Sequence, residues 1–178
     1  MNLPNRITVF RIVLIPLVIV LLLFPLLWTQ VAAAGVFLVA ALSDMFDGRI
    51  ARSRGLITDF GVFFDPLADK MLVISAMIML VAQDRLPGWI LAVIVFREFS
   101  VDGLRFMAAK RGVVIAAAPV GKAKTVSQMI MVLLLLLQGL FPQALWYRAL
   151  CQVAIYTALA LTVVSGAIYL WRGRAYIR

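Results

Sequence analysis

The sequence predicts an all-α membrane protein of six transmembrane helices in one domain, residues 1–178. Three observations predict it. Of the 178 residues 65% are hydrophobic and the mean hydropathy is +1.06, a balance that soluble domains of this size do not show. No charge occurs between Ile12 and Ser43. The basic residues that do occur gather at alternate ends of the apolar runs.

The spans follow in order, each long enough for the roughly 20 residues a crossing requires. The first is expected near residues 6–27 and the second near 31–50, with Pro25 and the polar pair Thr29 and Gln30 marking the turn between them. The third runs from about Gly61 to Ala82, its acidic end first. The fourth begins after Pro87 and continues to about Ala109. The fifth lies near 121–139 and the sixth near 144–171. One set of ends holds Arg6, Arg11, Arg49, Arg52, Arg54, Lys110, Arg111, Lys122, Lys124, Arg172, Arg174 and Arg178. The other holds only Arg85 and Arg148. The positive-inside rule therefore puts both termini in the cytoplasm, in a cell membrane. Arg6, Arg11, an apolar run and Ala32-Ala33-Ala34 have the order of a secretory signal, but the run is long for one, and the segment is expected to be retained as a first helix. Trp28, Trp89, Trp146 and Trp171 fall near span ends, as an aromatic belt would place them. Ser165, Gly166 and Ala167 would allow close helix contact or dimer packing.

Composition excludes several chemistries. There is no histidine and one cysteine, Cys151, expected to be a small packing residue. Zinc sites built on His or Cys, a Ser-His-Asp triad and an internal disulfide are ruled out. The net charge of +9 fits basic loops facing anionic lipid, with no long basic run that would indicate a nucleic-acid partner.

Five of the eight carboxylates lie between residues 43 and 71. Asp44 and Asp47 are i, i+3 and Asp65 and Asp69 are i, i+4, so each pair shares one helix face. A short polar linker, about 53–60, would return the chain as an antiparallel neighbour and bring the two acidic faces together. Four crowded carboxylates repel one another and are costly beside lipid, and divalent cations relieve both problems. Oxygen ligands without His or Cys select Mg²⁺, Mn²⁺ or Ca²⁺, and four acids can hold two ions, the arrangement used for phosphoryl displacement. Gly48, Ala51 and Gly61 leave room for a ligand, and Arg52 can face a phosphate. The plainer reading pairs these acids with Arg49, Arg52, Arg54 and Lys70 in a solvated loop. The spacing of all four favours the metal site. An EF-hand does not match.

The segment Asp44-x₂-Asp47-Gly48-x₂-Ala51-Arg52-x₈-Gly61-x₃-Asp65-x₃-Asp69 resembles, without departure, the defining motif of the CDP-alcohol phosphotransferases. The resemblance implies a six-helix membrane enzyme, usually a homodimer, that moves a phosphatidyl or related group from a CDP-linked donor to an alcohol and releases CMP. It implies that Asp44, Asp47, Asp65 and Asp69 bind two Mg²⁺ or Mn²⁺ ions and that Asp69 is also the general base for the acceptor hydroxyl. It places Gly48, Arg52 and Thr58 against the CDP moiety, and Asn5 and Thr8, from Pro4-Asn5-Arg6-Ile7-Thr8, near the cytidine.

The acceptor is read from other residues. Arg97 and Arg105 lie roughly 80° apart around the fourth helix and could face one cavity. Lys122 and Lys124 open the fifth helix, where free N–H groups suit an anion. The alternative is that Arg105 pairs with Asp102 or Glu98 and that Lys122 and Lys124 only enforce topology. Together the four cations suggest an acceptor that already carries phosphate. The opening Asn-Leu-Pro-Asn-Arg-Ile-Thr, Arg97-Glu98-Phe99 and Gly121-Lys122-Ala123-Lys124-Thr125 resemble the bacterial phosphatidylglycerophosphate synthase subfamily. That resemblance implies CDP-diacylglycerol as donor and sn-glycerol 3-phosphate as acceptor. Serine, inositol phosphate or phosphatidylglycerol are the acceptors of the runner-up reading. A metal or proton transporter would place acids at mid-bilayer on several helices, which this pattern does not do. A purely structural membrane protein leaves the acids unexplained.

Overall fold

The computed structural model describes the backbone of residues 3–24, 26–54, 59–113 and 119–174, and the side chains of 9–24, 26–43, 67–113, 119–171, 173 and 174. Six α-helices follow in order: α1 Leu3–Leu23, α2 Leu27–Arg54, α3 Asp59–Ala82, α4 Gly88–Lys110, α5 Pro119–Leu136 and α6 Leu145–Gly173, with a 3₁₀ turn, Leu137–Leu140, extending α5. Among the described residues there is no strand. For the described residues the expectation of an all-α chain of six helices holds.

Two helical stretches are long and apolar enough to cross a membrane on their own account, Pro119–Leu140 and Leu145–Trp171, among the described residues. Within the described residues the apolar parts of α1 and α2 are Val9–Leu23 and Leu27–Ser43. The second half of α4 is charged, with Arg97, Glu98, Asp102 and Arg105. Together with Arg11, Asp69, Lys70 and Lys124 these charges gather at one end of the bundle.

Packing divides the bundle into an α1–α2–α3 group and an α4–α5–α6 group, joined mainly by α5 against α2 and α3 and by α3 against α4. The core uses small residues where helices approach closely. Ala33, Ala34 and Ala40 of α2 are buried around Phe37, facing Leu14, Val18 and Leu22 of α1 and Ala76, Met77 and Leu80 of α3. On the outer surface Trp28, Trp89 and Trp146 start α2, α4 and α6 at one end, and Trp171 closes α6 at the other; all four are more than half exposed. All four lie near helix ends, where the sequence put them. Cys151 is buried, with its thiol against the Leu134 carbonyl at 3.8 Å.

The first interhelix turn corrects one expectation. Thr29 and Gln30 lie inside the first turn of α2 and are buried. Thr29 Oγ1 is 2.6 Å from the Phe24 carbonyl and 2.8 Å from that of Leu26, so its hydroxyl bonds back to the chain that enters the helix. Gln30 Oε1 accepts a bond from Arg85 Nη2 at 3.0 Å, and Arg85 Nη1 donates to the Leu135 carbonyl at 3.2 Å. The turn that presents Arg85 is tight: Asp84 adopts φ 57°, and the Arg85 amide closes on the Leu80 carbonyl at 2.9 Å. Burial lowers the pKa of Arg85 from its ordinary value, although arginine remains charged there. Arg85 thus fastens the α3–α4 turn to α2 and to the last turn of α5. Arg85→Met is expected to remove both bonds and lower stability by about 2 kcal/mol, read as a fall in the thermal unfolding midpoint in detergent with the helical content unchanged before the transition.

Candidate functional site

At the opposite end from Arg85, α2 and α3 bring their acids to matching depths. The helices are separated only by residues 55–58. At 1.5 Å rise per residue, Asp47 lies about 10 Å back from the end of α2, and Asp65 about 9 Å into α3. Asp44 and Asp69 are each about 15 Å from the same ends. Asp47 and Asp65 thus stand at similar distances from the facing helix ends, as do Asp44 and Asp69. The side chains of Asp44, Asp47, Asp65, Gly48, Arg52, Asn5 and Thr8 lie outside the described residues, as does Thr58 altogether. The linker expected at 53–60 is shorter, since α2 continues to Arg54 and α3 begins at Asp59.

Asp69 is described, and it has a partner that the sequence did not reveal. Arg11 of α1 is almost wholly buried, and its Nη1 lies 3.2 Å from Asp69 Oδ1. Helix α1 packs along both α2 and α3, which carries Arg11 to that carboxylate. Sequence reasoning assigned Arg11 to topology. The signal that could have found it is its place one residue before the charge-free run, where a cation needs a carboxylate from another helix.

Beyond Asp69 the helices α3, α4, α5 and α6 enclose two adjoining cavities of about 260 and 180 Å³. Both are lined by Lys70, Glu98, Arg105, Lys124 and Thr125; Asp69 borders the larger, and Arg97, Lys122 and Tyr169 border the smaller. All four cations expected at an acceptor phosphate therefore line the same space. Lys122 is exposed at its edge and Lys124 is buried within it.

The buried charges are paired across helices. Glu98, buried on α4, accepts hydrogen bonds at Oε1 from Lys124 Nζ of α5 and from Arg97 Nη1, the latter at 3.2 Å. Lys70 of α3 bonds Asp102 of α4. Neither carboxylate pairs with Arg105, which instead donates from Nη2 to the Tyr169 hydroxyl at 3.0 Å. Arg97 and Arg105 both lie over the Tyr169 ring, 5.5 and 5.0 Å from its centre, within cation–π range. One ring on α6 thus fixes two guanidiniums on α4.

The stripe Gly166, Tyr169 and Gly173 on α6 explains how α4 comes so close. A Cβ at Gly166 would lie 2.9 Å from Arg97 Cγ, and one at Gly173 would lie 2.2 Å from Leu104 Cδ2. From α5, a Cβ at Gly121 would lie 3.2 Å from the Tyr169 hydroxyl. The glycine of Ser165-Gly166-Ala167 thus serves contact within the chain, making room for Arg97. Glu98 and Tyr169 were not among the expected site residues. Their roles depend on pairing between helices, which leaves no local pattern.

The model of the CDP-alcohol phosphatidyltransferase family matches residues 1–164. A Bacillus subtilis protein named CDP-diacylglycerol–glycerol-3-phosphate 3-phosphatidyltransferase is 44% identical over 177 residues, covering 93% of this chain and 91% of its own. Proteins of the same name from Rickettsia typhi and Escherichia coli K12 are 34% and 35% identical; they cover 98% and 99% of this chain and 98% and 93% of their own lengths.

Proposed function

The chain belongs to the CDP-alcohol phosphatidyltransferase family, and on that premise we propose that it transfers the phosphatidyl group of CDP-diacylglycerol to sn-glycerol 3-phosphate. The products are phosphatidylglycerophosphate and CMP, a step of phospholipid biosynthesis. The relatives' shared name supports both substrates.

The observation that carries the acceptor is the charge of the smaller cavity. Among the described residues, Lys70, Arg97, Arg105, Lys122 and Lys124 oppose only Glu98 and Asp102. That excess suits a phosphate monoester dianion, whereas a zwitterion of no net charge such as serine would leave the cations uncompensated. The larger cavity continues to Asp69. An acceptor with its phosphate among the cations can therefore direct a hydroxyl toward that carboxylate.

The chemistry follows from the residues. Asp69 takes the proton of the acceptor hydroxyl as its oxygen attacks the phosphatidyl phosphorus; the phosphorus–oxygen bond to CMP breaks and CMP leaves. Arg11 holds Asp69 in place. Asn5, Thr8, Gly48, Arg52 and Thr58 hold the CDP moiety. The donor set of Asp44, Asp47, Asp65 and Asp69, all oxygen and at matched depths on two helices, fits two Mg²⁺ or Mn²⁺ ions. When bound, such ions neutralise charge on the phosphate oxygens and the departing CMP.

The six helices are read as six spans, with both termini and the site at the cytoplasmic face of the cell membrane and the protein a homodimer. The cationic ends and the exposed tryptophans support this orientation. Acyl chains then remain in the bilayer while the polar acceptor enters from water.

CMP release tests the reading. Purified protein in detergent with CDP-diacylglycerol and Mg²⁺ is expected to release CMP with glycerol 3-phosphate, and not with serine, inositol phosphate or phosphatidylglycerol offered alone. Chelator should abolish release. Release with a different acceptor alone would overturn the acceptor assignment, and release in the presence of chelator would overturn the metal site.

A further inference from the structure

The charged side chains of the larger cavity form one level and its deeper wall another. Asp69 and Lys70 give way one turn on to Val73 and Ile74 of α3. Glu98 gives way one turn back to Ile94 of α4. On α5 the residue one turn beyond Lys124 is Gln128, beside Met129. Gln128 is therefore a lone polar side chain in an otherwise apolar ring, and it is 4% exposed.

Its amide is oriented by α6. Thr162 Oγ1 donates its single proton to the Ala158 carbonyl at 2.6 Å. The 3.0 Å contact between Thr162 Oγ1 and Gln128 Nε2 must then be a bond donated by the amide N–H. The NH₂ group is committed to α6, and the carbonyl oxygen is turned away from it. That oxygen has no hydrogen-bond partner among the described residues. An amide oxygen on a cavity wall can accept a hydrogen bond from a ligand.

We propose that Gln128 is a specificity-determining residue that accepts a hydrogen bond from the middle hydroxyl of the acceptor. This rests on the acceptor reading given above. The acceptor's phosphate lies among the cations and its reacting primary hydroxyl at Asp69. Its secondary hydroxyl is the remaining donor; Thr125 and Gln128 are the neutral acceptors on that wall, and Gln128 is the one that stands in the apolar ring. A neutral carbonyl suits it: a carboxylate there would repel the phosphate, and a hydrocarbon would leave the hydroxyl unpaired.

The test compares glycerol 3-phosphate with 3-hydroxypropyl phosphate, which keeps the phosphate and a primary hydroxyl but lacks the middle one. The full-length protein is expected to prefer glycerol 3-phosphate by about tenfold or more in kcat/KM. Gln128→Leu should bring the two acceptors within about twofold by slowing glycerol 3-phosphate alone. Thr162→Val, which frees the amide to rotate, should lower the preference part of the way and decides the matter if Gln128→Leu does not fold. A residue that only joins α5 to α6 would slow both acceptors equally. An unchanged preference in the variants, or equal use of the two acceptors by the unaltered protein, overturns the proposal. Failure of the unaltered protein to use glycerol 3-phosphate at all would instead overturn the acceptor reading.

Discussion

Asp69→Asn is expected to lower kcat by about a thousandfold while CDP-diacylglycerol binding falls much less. The substitution keeps the side chain's shape but removes the basic oxygen and one negative charge. Loss of a positioned base alone costs 10²- to 10⁴-fold, and a weakened metal site adds to it. Asparagine can still accept a bond from Arg11, which lies 3.2 Å from Asp69 Oδ1, so the helices should stay in register. Two measurements check this: steady-state CMP release, and retention of a labelled CDP-diacylglycerol analogue by the variant. Turnover within a few fold of normal would remove Asp69 from the role of base.

The second large effect is expected at Arg97. Arg97→Ala should raise the acceptor KM by about 10- to 100-fold, the worth of a charge-assisted hydrogen bond or two, with the donor KM nearly unchanged. Arg97 touches Glu98 and stacks on Tyr169, both away from the acid pairs of α2 and α3. Arg97→Lys should restore little, because a lysine cannot lie flat on the ring while reaching Glu98. Gly166→Ala offers an independent check. Its added carbon would arrive 2.9 Å from Arg97 Cγ and push the guanidinium aside, producing a milder rise in the same constant. Equal changes in donor and acceptor KM would send Arg97 back to a purely structural pairing.

Much of this arrangement was legible beforehand because it is written in short-range pattern. Apolar run lengths gave six helices close to their actual bounds. The i, i+3 and i, i+4 acids marked the two helices that carry them, and Arg97, Arg105, Lys122 and Lys124 proved to line one space. What escaped was cooperative. Thr29 and Gln30 look like turn residues because polar pairs within apolar sequence usually punctuate it. Their polarity is instead absorbed by Phe24, Leu26 and Arg85. Arg105 seemed suited to Asp102, three residues away, yet Lys70 of α3 takes that carboxylate and Tyr169 of α6 takes the arginine. Such choices depend on which helix lies opposite, and sequence spacing along one helix does not carry that information.

The pairing of Arg11 with Asp69 also sets an order of events during synthesis. The arginine emerges from the ribosome 58 residues before its carboxylate. At 5–20 residues per second, the first helix therefore waits about 3 to 12 seconds for the third to bring Asp69. The contact between them closes only once the third helix has arrived. It thus records the moment at which the amino-terminal half of the chain is assembled.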